Sequence, residues 1–327
     1  MVKANGYGTD SVMVASAIEY HVDYLGAAYS SNAYQLRESG IQTPIMVMAP
    51  EPSDLPKISE YAGLEPVLYS LDMIKSAVDL ARPLNVHIEI DSGMKRLGLQ
   101  RDEIEEATSL LRESRLKVIS CFSHLVAPGE EEHDLFTHEQ ANYFNECFDL
   151  LTNGLSETPL KHLVSSGGTN RFPQYQYDMV RVGIGFYGYD PSDLIQEQLN
   201  AVATLQTKIL QVLDIKKDQT IGYSRKGSLP YNGRIATLSV GYGDGYLRIF
   251  GNGNAEVYVN GKRAKTVGNV CMDLTMIDVT NIDCKPGDVV ELFGPNITIE
   301  EMSKNAQTIP YEILTNISPR VERILVS

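Results

Sequence analysis

The sequence predicts an α/β chain: a (β/α)8 barrel of the TIM type followed by a mostly antiparallel β domain. Over the first 190 residues or so, short apolar runs alternate with amphipathic stretches whose Leu and Phe recur at three and four, the period of a helix face. Beyond residue 200 the pattern becomes β-branched alternation broken by turn pairs, the mark of hairpins. The residues with useful chemistry also fall at strand ends, the face on which barrel enzymes build their sites.

In chain order, residues 1–3 read as the end of a first strand. Apolar runs at 24–28, 45–49, 66–69, 86–90, 118–122, 162–164 and 179–182 supply seven more, with helical patterns such as 102–112 and 136–151 between them. Eight such units fit a closed barrel or a doubly wound open sheet. Lys3, Arg96, His124, Ser165 with Ser166, and Gly183 follow strands one, five, six, seven and eight. The loops after strands seven and eight, Ser165-Ser166-Gly167-Gly168-Thr169 and Val182-Gly183-Ile184-Gly185, stand where such barrels bind phosphate. An open sheet does not predict that agreement. Around Tyr189-Asp190-Pro191-Ser192 the pattern breaks, so the domains are drawn at 1–192 and 193–327. The second carries turn pairs at Asn232-Gly233, Asn260-Gly261 and Pro286-Gly287. It also carries a short helix over 299–305, capped by Thr298 with Glu300 and Glu301 in its first turn.

Composition excludes several functions. The 327 residues are 43% hydrophobic and 21% charged, with a formal charge of −14. Such a balance suits a globular protein without a nucleic-acid partner and without a role on an acidic membrane. No run approaches the ~20 apolar residues of a membrane span. The four cysteines lack CxxC spacing, and the six histidines form no HxxxH or HExxH pair. A metal site and a disulfide framework are therefore not expected, and a reducing cytoplasm is.

The segment Met1-Val2-Lys3-Ala4-Asn5-Gly6-Tyr7-Gly8 puts a lysine at a strand end among small residues, where its amine can bond an aldehyde and the backbone can approach a ligand. A solvated terminal lysine is the plain alternative. The wording resembles the pyridoxal-phosphate motif of the alanine racemase family. That family implies an isomerase that interconverts L- and D-alanine and supplies D-alanine for cell-wall peptidoglycan, working as a homodimer with shared sites. The resemblance runs from Lys3 to Arg323 through separated motifs. It implies that Lys3 carries the cofactor. The Ser166 loop, the amides of Gly183 and Ile184, and the Tyr7 hydroxyl would hold its phosphate.

Arg181, inside the apolar run Val180-Arg181-Val182, reads as an outward arginine or, by the resemblance, as the group facing the pyridine nitrogen. Arginine keeps its proton, so it leaves that nitrogen unprotonated and favours simple proton exchange over transamination. His124 and His162 read singly as core histidines. By the resemblance, His124 lies near the ring and His162 buttresses Arg181. Tyr242, in Ser239-Val240-Gly241-Tyr242-Gly243-Asp244-Gly245-Tyr246, resembles the second base, which comes from the partner subunit. Its proton needs a nearby positive charge, for which His124 is the expected source. Met272 and Asp273, in Gly268-Asn269-Val270-Cys271-Met272-Asp273, resemble the block that reaches the substrate carboxylate across the dimer, although a hairpin turn is the bland reading.

Four features depart from the family pattern. Asp91-Ser92-Gly93-Met94-Lys95-Arg96 resembles the segment whose arginine touches cofactor and substrate, but Glu89 stands where several racemases carry a carbamylated lysine; it reads as a built-in carboxylate. Pro319 stands where many have a phosphate-binding tyrosine, which leaves serine or broad specificity open beside alanine. Gly243 replaces the usual Ala. Finally, the family has more chain before the lysine, so the sequence reads as N-terminally truncated, with a weakened first strand and low activity expected. A non-catalytic cofactor-binding protein and a domain cut from a larger fusion are the remaining readings.

Overall fold

Seven short strands with buried faces succeed one another along the chain: β1 (Leu25–Ala27), β2 (Ile45–Val47), β3 (Leu64–Leu68), β4 (Leu84–Glu89), β5 (Leu116–Phe122), β6 (Leu160–Ser165) and β7 (Met179–Arg181). The computed structural model describes residues 1–326. It pairs these strands in sequence order, each parallel to the next. Parallel strands need crossovers, and helices such as Leu71–Asp79, Ile104–Arg112 and Asp134–Thr152 supply them. They bury Met73, Ile74, Ile104, Leu111, Phe144 and Leu151 in the same core as strand residues Val86, Ile88 and Cys121. The result is the curled parallel sheet of the expected barrel.

The first strand differs from expectation. Residues 1–3 form no strand; Met1 and Val2 only bridge the two sides. The Met1 nitrogen donates to Val182 O at 3.0 Å, and Val2 N donates to Gly26 O at 2.9 Å. The physical reason is the backbone that follows. Ala4, Asn5 and Gly6 all take left-handed helical angles, with φ of 51°, 53° and 61°. Left-handed helical geometry costs a residue with a side chain roughly 1–2 kcal/mol. Here the turn is held by Gly6 N to Val2 O (3.1 Å) and Asp10 N to Asn5 O (2.9 Å). Asp10 then caps the helix Ser11–Ile18 through Val12 N and Met13 N.

The chain divides into two compact units: Met1–Gly6 with Asp10–Asn200, and Tyr7–Thr9 with the residues from Ala201 on. The second unit holds β8 (Leu205–Ile215), β9 (Gly233–Leu238), β10 (Glu256–Val259), β11 (Lys262–Lys265), β12 (Thr275–Asp278) and β13 (Val289–Phe293). They pair antiparallel in the order β11-β10-β13-β8-β9-β12. Asn260 and Gly261 turn β10 into β11 with φ of 45° and 82°, as a two-residue hairpin requires. The expected helix spans Ile299–Ala306, and the Thr298 side chain accepts from Glu301 N at 3.2 Å.

Candidate active site

Three cations gather at the carboxyl ends of the parallel strands. Burial lowers the Lys3 amine from its ordinary value, and the charges of Arg96 and Arg181 lower it further. A lysine so placed spends more of its time as the neutral, nucleophilic amine. Arg181, at the end of β7, is held through both terminal nitrogens. Its Nη1 donates to His162 Nδ1 at 2.7 Å, and its Nη2 donates to Ser123 O at 2.7 Å and Leu163 O at 3.0 Å, with His124 Nδ1 at 3.3 Å. The guanidinium lies over the Phe122 ring, 4.9 Å from its centre, and Phe122 stacks on His162. Burial pulls Arg181 down to about 10, against an upward pull from Glu89, so it stays charged at neutral pH.

His124 corrects one expectation. Burial, then Arg181, Arg96 and Lys3, push it down to about 3. It is uncharged at neutral pH and supplies no positive charge to a tyrosine; Arg181 is the fixed charge at this place.

Arg96 is presented by a loop built on Asp91. One carboxylate oxygen accepts from Gly93 N at 2.9 Å and Lys95 N at 3.0 Å; the other accepts from Gln100 Nε2 at 3.2 Å and meets Lys95 Nζ at 3.1 Å. Burial works to raise Asp91, but these hydrogen bonds outweigh it and bring it to about 2. Glu89, at the end of β4, is buried, and burial raises it while Arg181 and Arg96 pull it back. It is a carboxylate held within electrostatic reach of both arginines.

The expected phosphate loops also come together. Ser166 opens the turn Ser166–Thr169, and its Oγ accepts from Gly183 N at 2.9 Å and Gly185 N at 3.2 Å. The Gly183 amide is therefore satisfied by a hydroxyl rather than standing apart from it. Ile184 begins the adjoining turn Ile184–Tyr187 and is buried. The charge balance of this site fits an anionic cofactor such as pyridoxal phosphate, because Lys3, Arg96 and Arg181 meet the buried carboxylate of Glu89, while the nearby Asp91 is paired with Lys95, beside two hydroxyl- and amide-lined loops.

Reading the sequence missed a row of polar residues behind Arg181. Glu65, His87 and Ser120 are buried in β3, β4 and β5 and linked to His162. The signal was present: polar residues interrupt apolar runs on successive strands, and His87 and Ser120 stand in register.

In the second unit, Tyr7 packs at 6.1 Å from Tyr311, and burial raises its hydroxyl well above the ordinary value. Tyr242 opens the turn Tyr242–Asp244, which is pinned by Tyr242 N to Cys271 O (3.0 Å) and Gly243 N to Met272 O (2.8 Å). Arg320 joins Asp244 to Asp273, each at 2.7 Å. Tyr242, Met272 and Asp273 therefore share one surface, on which the Tyr242 and Met272 side chains are exposed. A Cβ on Gly241 would lie 2.3 Å from Cys271 O, so this approach requires glycine; a Cβ on Gly243 would meet the flexible end of Arg320 at 2.7 Å and the Met272 carbonyl oxygen at 3.1 Å.

Comparison with known proteins agrees with this architecture. Residues 1–191 match the family model for the alanine racemase N-terminal domain, and residues 202–325 match that for the C-terminal domain. The chain is 34% identical over 337 residues to alanine racemase 1 of Oceanobacillus iheyensis, covering 99% of this chain and 89% of the relative. Among solved structures, alanine racemase of Clostridium difficile 630 superposes with a TM-score of 0.90 at 31% identity, over 98% of this chain and 86% of that one. Alanine racemase from Bartonella henselae with covalently bound pyridoxal phosphate gives 0.89 at 29% identity, over 99% and 91%. Among the described residues no helix is long and apolar enough to cross a membrane.

Proposed function

From the premise that this chain belongs to the alanine racemase family, we propose that it interconverts L- and D-alanine with pyridoxal phosphate, and we assign its residues as follows. The observation that carries the assignment is the Lys3 amine, lowered by desolvation and by the charges of Arg96 and Arg181 while the residue stays open to solvent. When bound, the cofactor supplies an electrophilic carbon for amines and an electron sink that makes the substrate α-proton acidic.

Lys3 Nζ would hold the cofactor in the resting protein and, once displaced by the substrate amine, would move the α-proton on one face. Tyr242 Oη, from the partner subunit of a homodimer, moves it on the other. Two bases are needed because one group cannot reach both faces of the α-carbon. Arg181 presents a proton it does not release to the ring nitrogen. His162 orients that guanidinium, and His124 lines the site as a neutral imidazole. Ser166, the Ile184 amide and Tyr7 would hold the phosphate, and the Gly183 amide sets the Ser166 hydroxyl by donating to its Oγ. Arg96 receives the substrate carboxylate, with Glu89 fixing Arg96 in place of a carbamate, and the partner's Met272 and Asp273 close that end. In this reading, residues 1–192 form the cofactor domain, and residues 193–327 form the domain that completes the partner's site. The protein works in the cytoplasm, on the supply of D-alanine to peptidoglycan.

Borohydride fixation of the cofactor-loaded protein followed by peptide mapping tests the assignment. Label on Lys3, with racemisation of alanine faster than serine, is expected. Label on another lysine, or none, refutes it.

A further inference from the structure

The polar row behind Arg181 has a direction. Arg181 Nη1 is a donor without acceptor capacity, so His162 Nδ1 must accept it at 2.7 Å. His162 is held neutral by burial and by Arg181, which push it well below its ordinary value. Its one proton is then on Nε2, which donates to Ser120 Oγ at 2.8 Å. Ser120 has a single proton and passes it to His87 Nδ1 at 2.7 Å. His87 therefore carries its proton on Nε2 and donates to Glu65 Oε2 at 3.0 Å. A charged His87 would donate to Ser120 as well, leaving the serine proton with no acceptor among these partners.

The row ends on a carboxylate kept ionised. Burial works to raise Glu65, but hydrogen bonds from His87, Asn85 and Tyr24 outweigh it and lower it. Asn85 Nδ2 donates to Glu65 Oε1 at 2.8 Å. His87, Ser120 and His162 are fully buried and Glu65 nearly so, so water does not screen the row.

We propose that Glu65 is the remote counter-charge of Arg181, acting through Ser120, His87 and His162 as a one-way chain of positioning residues. Each member donates toward the carboxylate, so the chain fixes the His162 tautomer that Arg181 needs. It thereby locks the guanidinium in the orientation in which it meets the ring nitrogen. The last clause rests on the assignment of Arg181 above; the chain itself does not.

The test uses the full-length protein labelled with nitrogen-15 in histidine. The imidazole spectrum is expected to show His87 and His162 each protonated on Nε2. Glu65→Leu removes the terminal acceptor and should move the resonances of His87 and also those of His162, two links further on. Glu65→Asp keeps the charge and should return His162 toward its starting position. If Glu65→Leu fails to fold, Glu65→Met, of similar length and likewise without an oxygen acceptor, serves for the same comparison. In the cofactor-loaded protein, the disrupting substitution should lower kcat about tenfold and leave KM within about twofold, as losing the support of a functional group typically does. His162 resonances unmoved by the Glu65 substitutions, or His87 protonated on Nδ1, would overturn the chain. A protein that fails to take the cofactor at Lys3 overturns the assigned function, yet leaves the imidazole result readable.

Discussion

Lys3 and Glu89 carry opposite electrostatic problems, and each sets a prediction. Lys3 is lowered because burial and two arginines oppose its charge. Lys3→Ala removes the only amine in that position, so covalent cofactor should vanish and racemisation should fall by about 10³-fold or more, measured by borohydride labelling and by optical rotation. Glu89 is raised because burial opposes its charge more than Arg181 and Arg96 favour it. An acid whose folded value lies above its unfolded one stabilises the fold below the unfolded value and loses that contribution as pH rises through the folded one. Wherever Glu89 is ionised, its charge is therefore a cost to the fold, retained for its hold on Arg96. Glu89→Gln should raise the melting temperature at pH 7 while lowering kcat/KM about tenfold, and added bicarbonate should restore nothing. A lower melting temperature together with full activity would remove Glu89 from the site.

Among elements, the loop from Asp91 to Arg96 is the most pH-exposed part of the site's support. Asp91 is brought to about 2, below its ordinary 3.8, by hydrogen bonds that outweigh its burial. With a lowered folded value, the stabilisation is present above the unfolded value and lost as pH falls toward the folded one. Denaturant melts of the natural protein should lose stability between about pH 4 and pH 2, and Asp91→Asn should flatten that slope. Identical slopes would show that the loop is held by other contacts. The seven strands and the capped helix after Thr298 were legible in the sequence to within a few residues, because burial on one or both faces leaves a period. The turn after Lys3 was not. Gly6 is the only glycine among its first three left-handed positions; Asn5 tolerates that conformation better than most residues, but Ala4 takes it against its own preference. The polar row through β3, β4 and β5 was equally hidden, because its meaning lies in the register between strands rather than in any one of them.

For the whole molecule, the decisive question is where each site finds its second base. Tyr242, Met272 and Asp273 lie together on the surface of the second unit, with Arg320 tying the turn of Asp244 to Asp273. An exposed tyrosine and methionine held on a pinned turn are what a surface completed by another copy presents. If each site combines Lys3 of one subunit with Tyr242 of the other, two inactive variants can repair each other. In a heterodimer of Lys3→Ala with Tyr242→Phe, one site inherits both defects and the other inherits neither. Equal mixing with free exchange makes half the dimers heterodimers, so activity should return to about a quarter of the natural value. If instead each site took both groups from one chain, every site in the mixture would carry one defect. No recovery would then follow, however complete the exchange. Native mass spectrometry of the same mixture verifies exchange, so recovery or its absence decides between the two arrangements.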